Sequence, residues 1–279
     1  MQNVYAKANI DLHTSLAEVY RETEPHYRPE NIARVSSLLH QLQREISAES
    51  LLDIGCGQGF IIDIAKKFFK KIRGIDITQA MLDKVDLSDN MGCDIEVCIA
   101  SAENLPFRDN EFDTCTAYAV LHHIPDIQTI AKEVCRVLRP GGVFFSSLDP
   151  NYYFWEALKS IHESTESYKT TDTLRKELNN TLNKDKELSV KFNISLDVID
   201  TAEAFKHIEG GFREEHIIQW FTSAGFSSIR IEYDWFFGQA KYIHDPLLVP
   251  HAKAVDDFLK ELLPLTRTLF KYISVFAVK

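Results

Sequence analysis

Residues 51–60 read Leu51-Leu52-Asp53-Ile54-Gly55-Cys56-Gly57-Gln58-Gly59-Phe60. Leu51, Leu52 and Ile54 have the pattern of a short buried strand with Asp53 inside it, and Phe60 to Phe69 has that of the helix that follows. A strand that breaks into alternating glycines and re-enters a helix is the first turn of a nucleotide-binding α/β unit. Glycine lets the backbone take positive φ there and lets a ligand approach where a Cβ would collide. The spacing is G-x-G-x-G, one residue shorter in its last gap than the dinucleotide loop. A pyrophosphate is held by helix N-terminal amides. A carboxylate two places before the first glycine suits a cationic group instead, such as an amino-acid ammonium. No Lys-Ser/Thr follows the glycines, so a Walker loop is excluded.

Four more segments follow in order. Ile72 to Ile77 reads as the second strand, and its Asp76 comes 21 residues after Gly55. An acid at that point binds a ribose diol, while Thr78 suits the N-cap of the next helix. Ile95 to Ile99 is the third strand, followed by Ala100-Ser101-Ala102-Glu103-Asn104-Leu105-Pro106-Phe107. Glu111 to Ala119 is the fourth, followed by Val120-Leu121-His122-His123-Ile124-Pro125-Asp126. Ile130 to Leu138 has helical spacing, Arg139-Pro140-Gly141-Gly142 reads as a tight turn, and Val143 to Leu148 is the fifth strand. Ahead of them all, Asn31 is placed to cap an amphipathic helix reaching about Ile46, with Ile32, Val35, Leu38, Leu39, Leu42 and Ile46 on one face. Thr14 to Arg21 has weak helical spacing.

This series resembles the class I, Rossmann-like S-adenosylmethionine-dependent methyltransferases of the small-molecule, type 11-like branch. The resemblance rests on the glycine loop, GIDITQAML, SAENLPF, VLHHIPD and LRPGG across residues 51–148, with the Tyr27-Arg28-Pro29 entry before them. It implies a three-layer α/β sandwich with a seven-stranded, mostly parallel sheet whose last strand is antiparallel, plus a helical cap. It implies S-adenosyl-L-methionine as cofactor and S-adenosyl-L-homocysteine as product. Tyr27 and Arg28 would fold over the cofactor. Asp53, Gly55, Cys56, Gly57 and Gly59 would hold its methionine moiety, Asp76 its ribose, and Ile77 and Met81 would pack on adenine. Ser101, Ala102 and Glu103 would meet the adenine edge, and Tyr118 the methionine or the acceptor. Ser101 stands where the family commonly carries Asp, and a hydroxyl accepts from an adenine amino group without charge assistance. His122 and His123 are the candidate bases for an acceptor that must lose a proton; the alternative for the pair is packing and hydrogen bonding. No metal is implied.

The organisation expected is an N-terminal arm and helix over the cofactor site (1–50), a cofactor-binding core (51–148), a helical cap insertion (149–209), and a C-terminal completion of the sheet (210–279) with a second insertion at about 238–271. Ligands in an open parallel sheet sit at the carboxyl ends of the strands, and both insertions leave from such ends, so they should gather on the active-site edge. The clusters Tyr152–Trp155 and Tyr233–Phe237 flank that edge, either lining an apolar acceptor pocket or packing the core of the cap.

A net charge of −10 disfavours a broad embrace of nucleic acid, and no N-P-P-Y-type tetrapeptide follows strand four. Five cysteines without C-x-x-C or zinc spacing read as reduced thiols in a cytoplasmic protein. No stretch is long enough to span a bilayer. The expected activity is methyl transfer to O, N or C of a small-molecule acceptor, apolar or aromatic. Two other readings are a non-catalytic methyltransferase-like binding protein and a nicotinamide-dependent oxidoreductase. The glycine spacing and Ser101 to Phe107 argue against the latter.

Overall fold

The computed structural model of the protein describes residues 4–163, 171–207, 209–243 and 247–279. Three helices precede the sheet: α1 (Val4–Leu16), α2 (Tyr20–Thr23) and α3 (Pro29–Glu45). Then β1 (Ser50–Ile54), α4 (Phe60–Ala65), β2 (Lys71–Asp76), α5 (Gln79–Leu82), β3 (Asp94–Ile99), β4 (Phe112–Tyr118), α6 (Ile127–Val137) and β5 (Leu138–Pro150) build the first part of the sheet. A run of helices follows: α7 (Tyr152–Glu163), α8 (Asp172–Leu182), α9 (Lys184–Phe192), α10 (Leu196–Ala202) and α11 (Ala204–His207). The chain ends with α12 (Glu214–Ala224), β6 (Ser228–Phe236), α13 (Ala240–Ile243), α14 (Val249–Glu261) and β7 (Phe270–Val278).

The seven strands are ordered β3-β2-β1-β4-β5-β7-β6. The first five pair in parallel, and β7 runs antiparallel between β5 and β6. Connection order reverses between β1 and β4, which is where an open α/β sheet leaves its crevice. The glycine loop follows β1 and the two histidines follow β4, so both flank that crevice.

Side-chain alternation along the strands creates the layers. On β1, Leu51 packs with Val35, Leu39 and Leu42 of α3 and Ile61 and Ile64 of α4. Leu52 and Ile54 face the other way, toward Ile130 and Val134 of α6 and Ile217 and Phe221 of α12. The spacing of Ile127, Ile130, Ala131 and Val134 makes one apolar stripe on α6. Asp126 caps that helix, its carboxylate accepting from the Thr129 amide at 3.0 Å.

Several boundaries differ from the sequence reading. The third helix starts at Pro29, because proline's fixed φ and missing N–H suit a first helical turn. Asn31 therefore lies inside the helix and caps nothing; its amide donates to the His26 carbonyl at 2.9 Å and the Tyr118 hydroxyl at 3.0 Å. The helix after the glycine loop ends at Ala65, short of Phe69. Arg139 to Gly142 does not leave the sheet as a separate turn: the Gly141 amide donates to the Lys279 carbonyl and the Lys279 amide to the Gly142 carbonyl. The segment is an irregularity within β5, between the Phe112–Leu138 and Thr114–Val143 pairs. Residues 4–16, expected only as part of an N-terminal arm with weak helical spacing from Thr14, form the full helix α1. Its Ala8, Leu12 and Leu16 pack on Ile194, Ile199 and Ala202 of the α9–α10 region.

The two aromatic clusters serve the insertions. Phe154, Trp155 and Phe237 pack with Leu158 and Leu178, while Arg213 and Arg267 cover the Tyr152 and Tyr153 rings at 3.5 Å.

Phe221 joins α12 to the sheet, stacking 5.2 Å from Phe144 with no exposed surface. Phe221→Ala should cost about 3–5 kcal/mol of unfolding free energy, read as a lower urea midpoint at unchanged slope. A loss below about 1 kcal/mol would show that α12 does not hold this face of the core.

Candidate active site

The loop after β1 is shaped by close approach. Gly55 has φ +64°, and a Cβ on it would lie 2.5 Å from a Val120 methyl carbon; no side chain fits at that position. Gly59, at φ +84°, starts α4 in a left-handed conformation. The Gly57 amide between them donates to Asp76 Oδ2 at 2.9 Å, and the Thr78 amide donates to Asp76 Oδ1 at 2.8 Å. The acid at the end of β2 is thus fixed by two backbone donors. Thr78 occupies the N-cap position of α5, without a side-chain capping bond.

Asp53 is 1% exposed. Its Oδ1 accepts from the Thr116 hydroxyl at 2.8 Å, and its Oδ2 has no partner. Burial pushes its pKa up to about 8; the Thr116 bond opposes this and the Asp76 charge adds to it. A buried carboxyl oxygen without a donor is costly, and a ligand cation beside it would remove that cost.

Two connected spaces meet at this loop. The larger is a cleft partly open to solvent. Gly55, Gly57, Asp76, Ile77, Met81, Ser101, Ala102, Glu103, Tyr118 and His123 line it. The smaller is a side chamber bounded by Tyr27, Asp53, Cys56, Gln58 and Phe60. Gly55, Gly57, Tyr20 and Tyr118 border both. Arg28 and Gly59 border neither: Arg28 stands at the N-cap position of α3, and Gly59 shapes the start of α4. The Tyr118 hydroxyl is bound to Asn31 and Arg34, so its ring rather than its oxygen is left for a ligand. The Ser101 hydroxyl accepts from the Glu103 amide at 3.2 Å.

The N-terminal helices supply a wall; the sequence reading expected residues 1–50 over the site but named none of the residues of α1. Tyr5, Asn9 and His13 of α1 line the cleft, and they recur every fourth residue beside the buried stripe Ala8, Leu12 and Leu16. That period was the available signal. Arg21 and Gln58 strap the glycine loop: Arg21 donates to the Gln58 carbonyl, and the Gln58 side chain donates to the Ala17 carbonyl, each at 2.6 Å. His26 in the side chamber has its pKa pushed down to about 4 by burial and by Lys184, so it is neutral.

The histidine pair is divided by its surroundings. His122 Nδ1 meets Asp149 Oδ1 at 3.0 Å, and His122 does not line the cleft. Burial alone would lower its pKa, but the Asp149 bond and the Glu203 and Asp149 charges carry it above the usual histidine value. His123 lines the cleft, its Nδ1 bound to the Ala202 carbonyl at 3.0 Å. Burial, and then the neighbouring His122, push its pKa down to about 3.

Comparison with known proteins agrees with this geometry. Residues 52–146 match the family model described as a methyltransferase domain. The chain is 35% identical over 117 residues to a ubiquinone/menaquinone biosynthesis C-methyltransferase of Rickettsia massiliae, covering 37% of this chain and 46% of that protein. A ubiquinone biosynthesis O-methyltransferase of Coxiella burnetii is 29% identical over 119 residues, covering 39% and 48%. The chain thus spans less than half the length of these curated relatives. The fold is shared with a SAM-dependent methyltransferase of Archaeoglobus fulgidus at a TM-score of 0.51 and 14% identity, covering 89% of this chain and 94% of that one. Among the described residues no helix is long and apolar enough to cross a membrane.

The buried acid of β1 has a pH signature. Folded Asp53 retains its proton to about pH 8, whereas an unfolded aspartate loses it near 4. The folded state therefore binds the extra proton between those values, and Asp53 makes the ligand-free protein less stable as pH rises through that window. Asp53→Asn removes this contribution. The difference in melting temperature, variant minus parent, should grow more positive from pH 5 to pH 8, and a flat difference would place the folded pKa near 4.

Proposed function

We propose that the protein transfers a methyl group from S-adenosylmethionine to a small-molecule acceptor. The observation that carries this reading is the bare Oδ2 of buried Asp53 beside a loop where no side chain fits, with Asp76 fixed nearby at the end of β2. The residues suit a molecule with an ammonium at one end and a ribose and base at the other. Asp53 would take the ammonium and ionise as it does so, Asp76 would accept from the ribose hydroxyls, and Ile77 and Met81 would give the base an apolar surface. Ser101, Ala102 and Glu103 would meet its edge. Tyr27, whose buried hydroxyl has no partner, and Cys56 would close the side chamber around the methionine portion.

When bound, this cofactor supplies a methyl group already activated on a sulfonium, so the chain's own work is alignment and the exclusion of water. Tyr5, Tyr20, Ile124 and Pro125 line the same cleft and suit an acceptor with an apolar or aromatic body. The histidine pair forms the polar end, and a proton that the acceptor must lose would leave through it; His123 is the member that reaches the cleft. The relatives' printed names, ubiquinone and menaquinone biosynthesis, support an aromatic acceptor methylated on carbon or oxygen. Five cysteines, all free, accord with a reducing, cytoplasmic setting. The α1 helix and the α7–α11 insertion would form the cap that selects the acceptor.

Calorimetric titration with S-adenosylhomocysteine in buffers of differing ionisation enthalpy should show release of about one proton at pH 6.5 as Asp53 ionises. Asp53→Asn should abolish that release and weaken binding about tenfold or more. Absence of heat with this nucleoside, alongside tight binding of NAD, would reject the reading. For a hydroxyl acceptor, His123→Ala should lower kcat by about 10²-fold or more with product affinity unchanged; unaltered kcat would remove His123 from the reaction.

A further inference from the structure

His122, His123 and Glu203 each offer one ligand atom, and these atoms lie within 4.8 Å of one another. The two histidines follow β4, whereas Glu203 lies between α10 and α11 in the insertion, far along the chain. Sequence spacing therefore held no trace of the group. In both imidazoles Nδ1 is already committed to oxygen, the Asp149 carboxylate for His122 and the Ala202 carbonyl for His123, each at 3.0 Å. That leaves Nε2 on each ring, and His122 Nε2 lies 3.8 Å from Glu203 Oε2. The ring centroids are 4.1 Å apart.

This is how metal-binding histidines are prepared. A carboxylate or carbonyl on one ring nitrogen fixes the tautomer and orientation and raises the basicity of the other. Two imidazole nitrogens and one carboxylate make the three-ligand set of catalytic zinc sites and of other transition-metal sites that keep open positions. Bond lengths of about 2.0–2.2 Å place tetrahedral ligand atoms roughly 3.4 Å apart, so the group needs only a modest contraction. Glu203 is partly exposed on a short link between two helices and can supply it. His123 borders the cleft, so an open coordination position would face the acceptor end.

We infer that His122, His123 and Glu203 form a binding site for a divalent transition-metal ion at the acceptor end of the cleft, braced by Asp149 and the Ala202 carbonyl. Its role rests on the methyltransferase reading: an acceptor hydroxyl bound to the ion would lose its proton to water more readily. Binding of the ion itself does not depend on that reading.

The test uses the tag-free, chelator-stripped full chain, titrated with Zn²⁺ by calorimetry and with Co²⁺ by visible absorption, with no cofactor or acceptor present. One equivalent should bind, and Co²⁺ should give the ligand-field bands of a site with nitrogen and oxygen donors. Glu203→Gln and His123→Gln should each abolish the equivalent, and Asp149→Asn should weaken it about 10–100-fold, with thermal melts reporting that each variant is folded. Glu203 is partly exposed, so Glu203→Gln keeps the test decisive if a buried variant fails to fold. No uptake by the parent, or uptake that survives both Glu203→Gln and His123→Gln, would overturn the site. Because the titration lacks nucleoside, its failure is distinguishable from failure to bind S-adenosylhomocysteine.

Discussion

A carboxyl buried in a parallel strand with one oxygen bound and the other bare sets the terms for this protein. Asp53 is buried, and Thr116 satisfies only half of it. The cost is tolerated because β1 is packed on both faces, by α3 and α4 on one side and by α6 and α12 on the other. Everything else in the site is arranged around that position. The glycine loop opens space beside it, Asp76 is set by the loop's own amide, and the segments before α3 strap the loop from outside.

The first five strands and the crevice were legible because each rests on local chemistry. Glycines that must take positive φ, an acid at a strand end and an apolar stripe on α6 all leave marks at short range. Asp53 and Asp76 were readable for that reason. Asn31 was misread because Pro29 starts the helix two residues earlier, which leaves its side chain to the His26 carbonyl and to Tyr118, a residue far along the chain. Arg139 to Gly142 was misread because its hydrogen bonds go to Lys279, at the other end of the sequence. The wall formed by Tyr5, Asn9 and His13 was missed for a related reason. The helix is stabilised by packing on residues of the insertion, and propensity within 4–16 does not announce it.

The aromatic residues of the insertions show the same limit. Their clustering in sequence suits an acceptor pocket as well as a small hydrophobic core, the reading that burial of aromatics favours. The structure places Phe154, Trp155 and Phe237 in such a core. The wall of the cleft proposed to take the acceptor is built instead from α1 and from the turn after β4, pieces that are polar or short when taken singly.

The bond from the Gly57 amide to Asp76 joins the first loop of the fold to the tip of the neighbouring strand. The loop and the acid are therefore mechanically one object: a disturbance at the loop shifts the acid, and loss of the acid frees the loop. Thermodynamic effects of changes at these two places will be coupled and not additive. Evolution or engineering of a different nucleoside preference would have to move both together.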